Sequence, residues 1–248
     1  MKIIISPTKQ MTTEEDFFLP ESTPLFLEAT QEILATLQQL SFEELKKIWK
    51  CSDKLAIENF ERLKQTNLIK HTAPAIMSYK GIQYQYMAPS LLTKPELAYL
   101  QKHLRILSGF YGVLKPFDGI VPYRLEMQAP LKLGNETNLY HYWGKRLYEA
   151  LDFSTGPVIN LASKEYSKTL THYLTNKDQL IDIHFYHSID GKLKVKATLA
   201  KMARGEMVRY LAEHNVTTIK GIQEFDHPHY HFSTEHSNDQ SLVFIFED

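Results

Sequence analysis

The residues best suited to chemistry fall in a few tight groups. Leu107-Ser108-Gly109-Phe110-Tyr111-Gly112-Val113-Leu114-Lys115-Pro116 places two glycines three apart, and Pro122-Tyr123-Arg124-Leu125-Glu126-Met127 follows closely. Glycine tolerates left-handed dihedrals, so a turn of this kind can present successive backbone N–H groups to an anion. Arg105, Lys115 and Arg124 would surround a phosphate with charge. Phe110, Tyr111, Phe117 and Tyr123 offer faces for packing or base stacking. This is the logic of a helix-hairpin-helix, although that motif usually has Gly-x-Gly and here the glycines bracket Phe110-Tyr111. A helix C-cap followed by a tight turn, with the aromatics filling the core, is the competing reading.

A second group is cationic. Lys192, Lys194 and Lys196 alternate along a strand, and Lys201, Arg204 and Arg209 follow on one face of a helix. They could track a phosphate backbone, or the strand lysines could simply protect an edge from aggregation. A third group is polar and mixed: Lys9, Asp53-Lys54, Glu126, and Asn160-x-x-Ser163-x-Glu165 at a strand-to-helix switch. Ligands gather at the carboxyl ends of such strands, and carboxylate, amide and lysine together could position a base or a sugar. Ser163 and Asp53 could equally serve as helix-start residues. The catalytic candidates are therefore Asp53, Glu126, Asn160, Ser163 and Glu165. In His227-Pro228-His229-Tyr230-His231, alternate spacing would align three imidazoles, but Pro228 weakens a regular strand, and no metal site or cofactor is assigned. G-x-S-x-G, P-loop, H-E-x-x-H and C-x-x-C motifs are all missing from the sequence, which removes the commoner hydrolase, nucleotide-triphosphatase and zinc templates.

Several elements must position these groups. Lys2 to Ile5 reads as a short buried strand ended by Ser6-Pro7, and the acidic stretch from Thr12 to Glu21 as a loop. Thr23-Pro24 opens an amphipathic helix through Phe26, Ile33, Leu37 and Leu40. Ser41 with Glu44, and Thr93 with Glu96, are capping boxes for later helices, and Ser52-Asp53 starts another. The Leu97, Leu100, Leu104, Leu107 spacing predicts a helix running up to Ser108-Gly109. Gly156 to Leu161 reads as a buried strand turning at Ala162-Ser163 into a helix. Residues 181–188 alternate in polarity and return through an Asp190-Gly191 hairpin into a helix from about Leu199 to Glu213. Leu242 to Phe246 is a final apolar strand.

Composition bounds the class. The chain has 248 residues, 43% hydrophobic and 23% charged, which excludes disordered, collagenous and coiled-coil classes. Lys and Arg number 28 against 29 Asp and Glu, so bulk charge does not drive nucleic-acid binding. The charge is nevertheless polarised: residues 192–209 hold six basic groups and one acidic, whereas the tail from Tyr210 holds one basic and seven acidic. A single cysteine, Cys51, fits a reducing compartment, and no stretch is apolar enough to span a membrane. The expectation is one cytoplasmic domain over residues 1–248, of α+β (mixed α/β) class, with a mixed sheet, flanking helices and a helix-hairpin-helix-like element.

Seven ordered blocks carry a resemblance to a known family. They are Ile5-Ser6-Pro7-Thr8-Lys9, Ser52-Asp53-Lys54-Leu55-Ala56, Tyr79-Lys80-Gly81, Leu107 to Pro116, Pro122 to Met127, Asn160 to Tyr166, and Lys201-Met202-Ala203-Arg204-Gly205. In order and spacing they resemble the YaaA peroxide-stress family, with Thr8 standing where alanine is more usual. The resemblance implies a bacterial cytosolic protein of the hydrogen-peroxide response that limits iron-dependent damage. It further implies duplex DNA binding through a basic cleft with a helix-hairpin-helix, and no settled enzymatic activity. The expected DNA-contact set is Lys9, Lys54, Lys80, Arg105, Ser108, Gly109, Tyr111, Gly112, Lys115, Tyr123, Arg124, Lys201 and Arg204, acting without strong sequence preference from a monomer. A lyase-like or glycosylase-like enzyme on nucleic acid, and an iron-handling protein without DNA contact, are the alternatives.

Overall fold

The structure is a computed structural model that describes residues 1–12 and 18–247, so residues 13–17 of the expected acidic loop lie outside the described residues. Its organising element is β1 (Lys2–Ile5), whose Ile3, Ile4 and Ile5 are fully buried. Each such side chain contributes roughly 1.5–3 kcal/mol through burial. A strand that is apolar on both faces suits the interior of a parallel sheet, and β1 lies there.

Helices α1 (Leu27–Gln39), α2 (Phe42–Trp49), α3 (Asp53–Gln65), the short α4 (Ile82–Met87) and α5 (Lys94–His103) precede β2 (Leu104–Ser108). The β2 strand pairs in parallel with β1, Ile3 opposite Leu104, and β3 (Gly112–Leu114) folds back antiparallel on β2. On its other side β1 pairs in parallel with β4 (Val158–Asn160), Ile3 opposite Ile159. Then follow α6 (Lys164–Thr171), β5 (Leu180–Ile189), β6 (Lys192–Lys194), α7 (Ala197–Glu213), β7 (Tyr230–Phe232) and β8 (Ser241–Phe246). The sheet has eight strands in the order β7-β8-β5-β4-β1-β2-β3, with β6 paired to β5. The α/β class and the mixed sheet with flanking helices expected from the sequence are both present.

Five neighbours, β2, β1, β4, β5 and β8, are mutually parallel. Ranked by position in the chain, their spatial order is 2-1-3-4-5. The chain leaves β1 toward one edge and later builds toward the other, so the strand order reverses between β1 and β4. The carboxyl ends of strands at such a reversal form a crevice that ligands commonly occupy.

Local signals explain several boundaries but not the start of α1, which begins at Leu27 after an uncapped Phe26 and not at the expected Thr23-Pro24. Both capping boxes form, Ser41 with Glu44 and Thr93 with Glu96. Burial along β5 alternates as expected, and Asp190 and Gly191 both take positive φ in the turn to β6. The helix expected to reach Ser108 instead stops at His103, and Leu104–Ser108 is strand. Leu97, Leu100, Leu104 and Leu107 mimic a helical face. Ile106, however, makes the run apolar on both sides, which is what a strand held between β1 and β3 requires; short apolar runs are ambiguous by periodicity alone. The segment expected to be a helix-hairpin-helix is therefore a strand, a tight turn and a returning strand.

Candidate functional site

A cleft of about 570 Å³ opens at the carboxyl ends of β1 and β4, at the strand-order reversal. Its floor is the segment Ser6-Pro7-Thr8-Lys9-Gln10 leaving β1. The Ser6 hydroxyl accepts the Ser163 amide at 2.8 Å, tying the exit of β1 to the start of α6. Gln10–Met11 pairs antiparallel with Tyr79–Lys80, which brings Lys80 to the rim. A Cβ on Gly81 would come within 2.8 Å of the Thr8 methyl, so the threonine closes tightly over a residue that must stay small.

The two walls differ in charge. On one, α7 crosses α4 so closely that a Cβ on Gly205 would collide with the Gln83 carbonyl. This packing sets Gln83, Lys201 and Arg204 along one side beside Lys80. Burial lowers the Arg204 pKa, and the Asp182 charge partly offsets that shift. The Nε of Arg204 and Nε2 of Gln83 are buried without hydrogen-bond partners. On the opposite wall lie Glu126 and Glu165. Lys9 Nζ stands 2.7 Å from Glu126 Oε1. Glu165 accepts the Gln128 amide at 3.2 Å, yet burial raises its carboxyl above the usual range, with the Glu126 charge adding to the rise. Tyr123 closes the inner end in a hydroxyl chain, 2.8 Å from Tyr79 and 2.7 Å from Ser108. Burial pushes its phenol up to about 12 against the lowering effect of those two bonds.

Of the residues singled out from the sequence, Lys9, Lys80, Tyr123, Arg124, Glu126, Ser163, Glu165, Lys201 and Arg204 line this one cleft. Asn160 lies behind it, donating to Asp182 at 2.6 Å and accepting the Ala162 amide at 2.9 Å. Ser163 stands at the N-cap of α6 without a side-chain cap bond. Asp53 and Lys54 sit elsewhere, exposed at the start of α3, where Asp53 pairs with Lys46 at 2.7 Å. Arg105 is drawn back to the backbone, donating to Leu104 O at 2.6 Å, and the exposed Lys115 also lies outside the lining.

The glycine turn does not offer its amides outward. Ser108 Oγ accepts the Phe110 and Tyr111 amides at 3.1 and 3.0 Å, and Ser108, Gly109, Tyr111 and Gly112 are all buried. Gly112 does adopt the suspected positive φ, at 76°, but a Cβ there would meet Phe26 and Trp143 at 2.9 Å. Of the competing reading, the aromatics packed around a tight turn are present, but no helix C-cap precedes the turn, which joins the strands Leu104–Ser108 and Gly112–Leu114. The tail imidazoles diverge: His227 bonds Glu206 at 2.8 Å while His229 stacks on Phe246. No group of three His, Cys, Asp or Glu side chains placed to hold a metal occurs among the described residues. Sequence reasoning missed Gln83 and Ser6. Nothing marks Gln83 among the polar residues of α4; Ser6 is signalled only by its place after a buried strand.

Comparison with known proteins shows the family of the chain. Residues 1–236 match the family described as "Peroxide stress protein YaaA". A UPF0246 protein of Lactiplantibacillus plantarum is 54% identical over 247 residues, covering 100% of both chains. UPF0246 proteins of Lacticaseibacillus paracasei and Agathobacter rectalis are 51% and 48% identical, with at least 98% of each chain covered. The chain belongs to the YaaA family of peroxide stress proteins.

Proposed function

We propose that this protein acts in the peroxide response by binding nucleic acid, holding phosphates along the cationic rim of the switch-point cleft. The observation that carries the reading is convergence: Lys9, Lys80, Arg124, Lys201 and Arg204 come from separate stretches of the chain and meet at one open concavity. Contacts of this sort are to backbone phosphates, so recognition is largely independent of base sequence. In this reading, covering phosphates also displaces iron that would otherwise sit on the DNA and react with peroxide there, and so limits iron-dependent damage. The test is fluorescence anisotropy with several unrelated duplexes across a salt series. Log affinity should fall linearly with log salt, at about 0.9 per phosphate contacted. No binding at low salt, or binding indifferent to salt, overturns the reading. A parallel assay of iron- and peroxide-driven strand scission should show protection at saturating protein.

A second reading, chemistry on nucleic acid, is supported by Glu126 and Glu165, whose charges act on each other in a partly dry cleft. It predicts that Glu126→Gln or Glu165→Gln abolishes peroxide resistance in cells while fold and DNA affinity persist. Wild-type resistance in both variants overturns it.

A further inference from the structure

The cleft is bipolar in a way that binding to a phosphate backbone does not require. At its cationic side, Arg204 Nε and Gln83 Nε2 are buried without acceptors, as is Arg124 Nε elsewhere on the lining. Gln83 is only 7% exposed and lines the cleft. A buried donor left unpaired is costly, so two together favour an acceptor that arrives from outside. The start of α6 borders the cleft between the two sides, since Ser163 and Glu165 both line it; the Ser163 amide is taken by Ser6 Oγ and the Tyr166 amide by the Ser163 carbonyl, which leaves the Lys164 and Glu165 amides at the helix start. The first N–H groups of a helix have no partner inside it and favour negative charge. The acidic side supplies acceptors instead, Glu126 and Glu165. A ligand satisfying both sides carries an anion at one end and hydroxyl or amino donors at the other. The cavity, about 570 Å³, lies in the range that encloses small ligands.

We propose that this cleft is a binding site for a single nucleotide unit, its 5′-phosphate held by Arg204, Gln83 and the Lys164 amide at the start of α6, and its sugar hydroxyl or base amino group by Glu126 and Glu165. The sugar and base assignment rests on the nucleic-acid reading above; the phosphate assignment rests on the unpaired donors. The unit can come from a free mononucleotide or from the phosphorylated end of a strand, because the same groups recognise both.

The experiment titrates the full chain, at fixed ionic strength, with deoxyadenosine 5′-monophosphate, deoxyadenosine, inorganic phosphate, and a short single strand with or without a 5′-phosphate, followed by calorimetry. The mononucleotide should bind at least 10-fold more tightly than deoxyadenosine or phosphate alone. The 5′-phosphorylated strand should outcompete its unphosphorylated twin if strand ends are the source, and only the mononucleotide should show the preference if they are not. Gln83→Leu, which keeps side-chain bulk and removes both donors, should weaken the mononucleotide at least fivefold while duplex affinity changes less than twofold. Should Gln83→Leu fail to fold, Glu165→Ala, which removes an acceptor for the sugar or base, should weaken the mononucleotide by a similar factor and leave inorganic phosphate binding unchanged. Equal binding of mononucleotide and nucleoside, or no mononucleotide binding beside normal duplex binding, overturns the site and leaves the nucleic-acid reading standing. Mononucleotide binding without duplex binding overturns that reading and leaves the site.

Discussion

The turn at residues 108–112 and the cleft at the ends of β1 and β4 both answer to the description of an anion site, and they differ in where their donors go. In the turn, the Phe110 and Tyr111 amides are consumed by the Ser108 hydroxyl, and that hydroxyl joins Tyr123 and Tyr79 in a closed polar chain. In the cleft, the Arg204 and Gln83 side chains line open space and each keeps a buried donor unpaired. Glycines and nearby cations therefore identify backbone that can bend; an anion site also needs donors that the fold has left unspent.

The comparison breaks first at Gly112. With φ at 76°, and with Phe26 and Trp143 each 2.9 Å from where a Cβ would sit, Gly112→Val should cost about 3 kcal/mol or more. Denaturant melts would register it, while duplex affinity per folded molecule stays at the wild-type value. A loss of affinity with stability intact would return the turn to the binding surface. Next comes the Lys80→Ala, Lys201→Ala pair on the cleft rim. Duplex affinity should fall about tenfold at low salt and the log–log salt slope should flatten by about 1.8, two phosphate contacts' worth. Lys115→Ala sharpens the contrast from the other side, since its side chain stands outside the cleft, and anisotropy should show a change under twofold.

The smallest expected effect is a pH dependence. Burial raises the Glu165 pKa in the folded state, so the fold favours the protonated form. Stability is then highest below the unfolded pKa and declines as pH rises through the folded one. Glu165→Gln removes that decline. Its melting temperature should exceed wild type by about 1–2 °C at neutral pH and match it at mildly acidic pH. A variant that melts lower at neutral pH would show that the amides of Gln128 and Met127 and the nearby Lys9 charge stabilise the carboxylate more than burial disfavours it.

Legibility in the sequence follows the range of the interactions. Helix caps are local, and Ser41 with Glu44 and Thr93 with Glu96 can be read directly. The β5 alternation and the Asp190-Gly191 turn are nearly as local. Leu104–Ser108 reads as helix in isolation because its strand character comes from β1, about a hundred residues away. The cleft is half legible: Glu126, Ser163, Glu165, Lys201 and Arg204 stand in recognisable blocks. Gln83 is invisible because its significance lies in having an unpaired donor, a property of the folded neighbourhood. Arg105 and Lys115 are close in sequence to the glycines but lie outside the cleft lining, Arg105 in β2 and Lys115 just past the end of β3.

The central position of β1 also bears on how the molecule is made. Ile3, Ile4 and Ile5 leave the ribosome long before their neighbours, Leu104 to Ile106 and Val158 to Asn160. At about 5–20 residues per second, the interval before the second flank exists is roughly 10–30 s. Through that time an apolar β-former has no place to pair except another nascent chain, and contacts so distant in sequence form slowly even when available. A chaperone that holds the first dozen residues should therefore raise the soluble yield more than one acting on the finished chain. A proline at position 4, by removing a donor from the middle of the sheet, should leave the product in inclusion bodies.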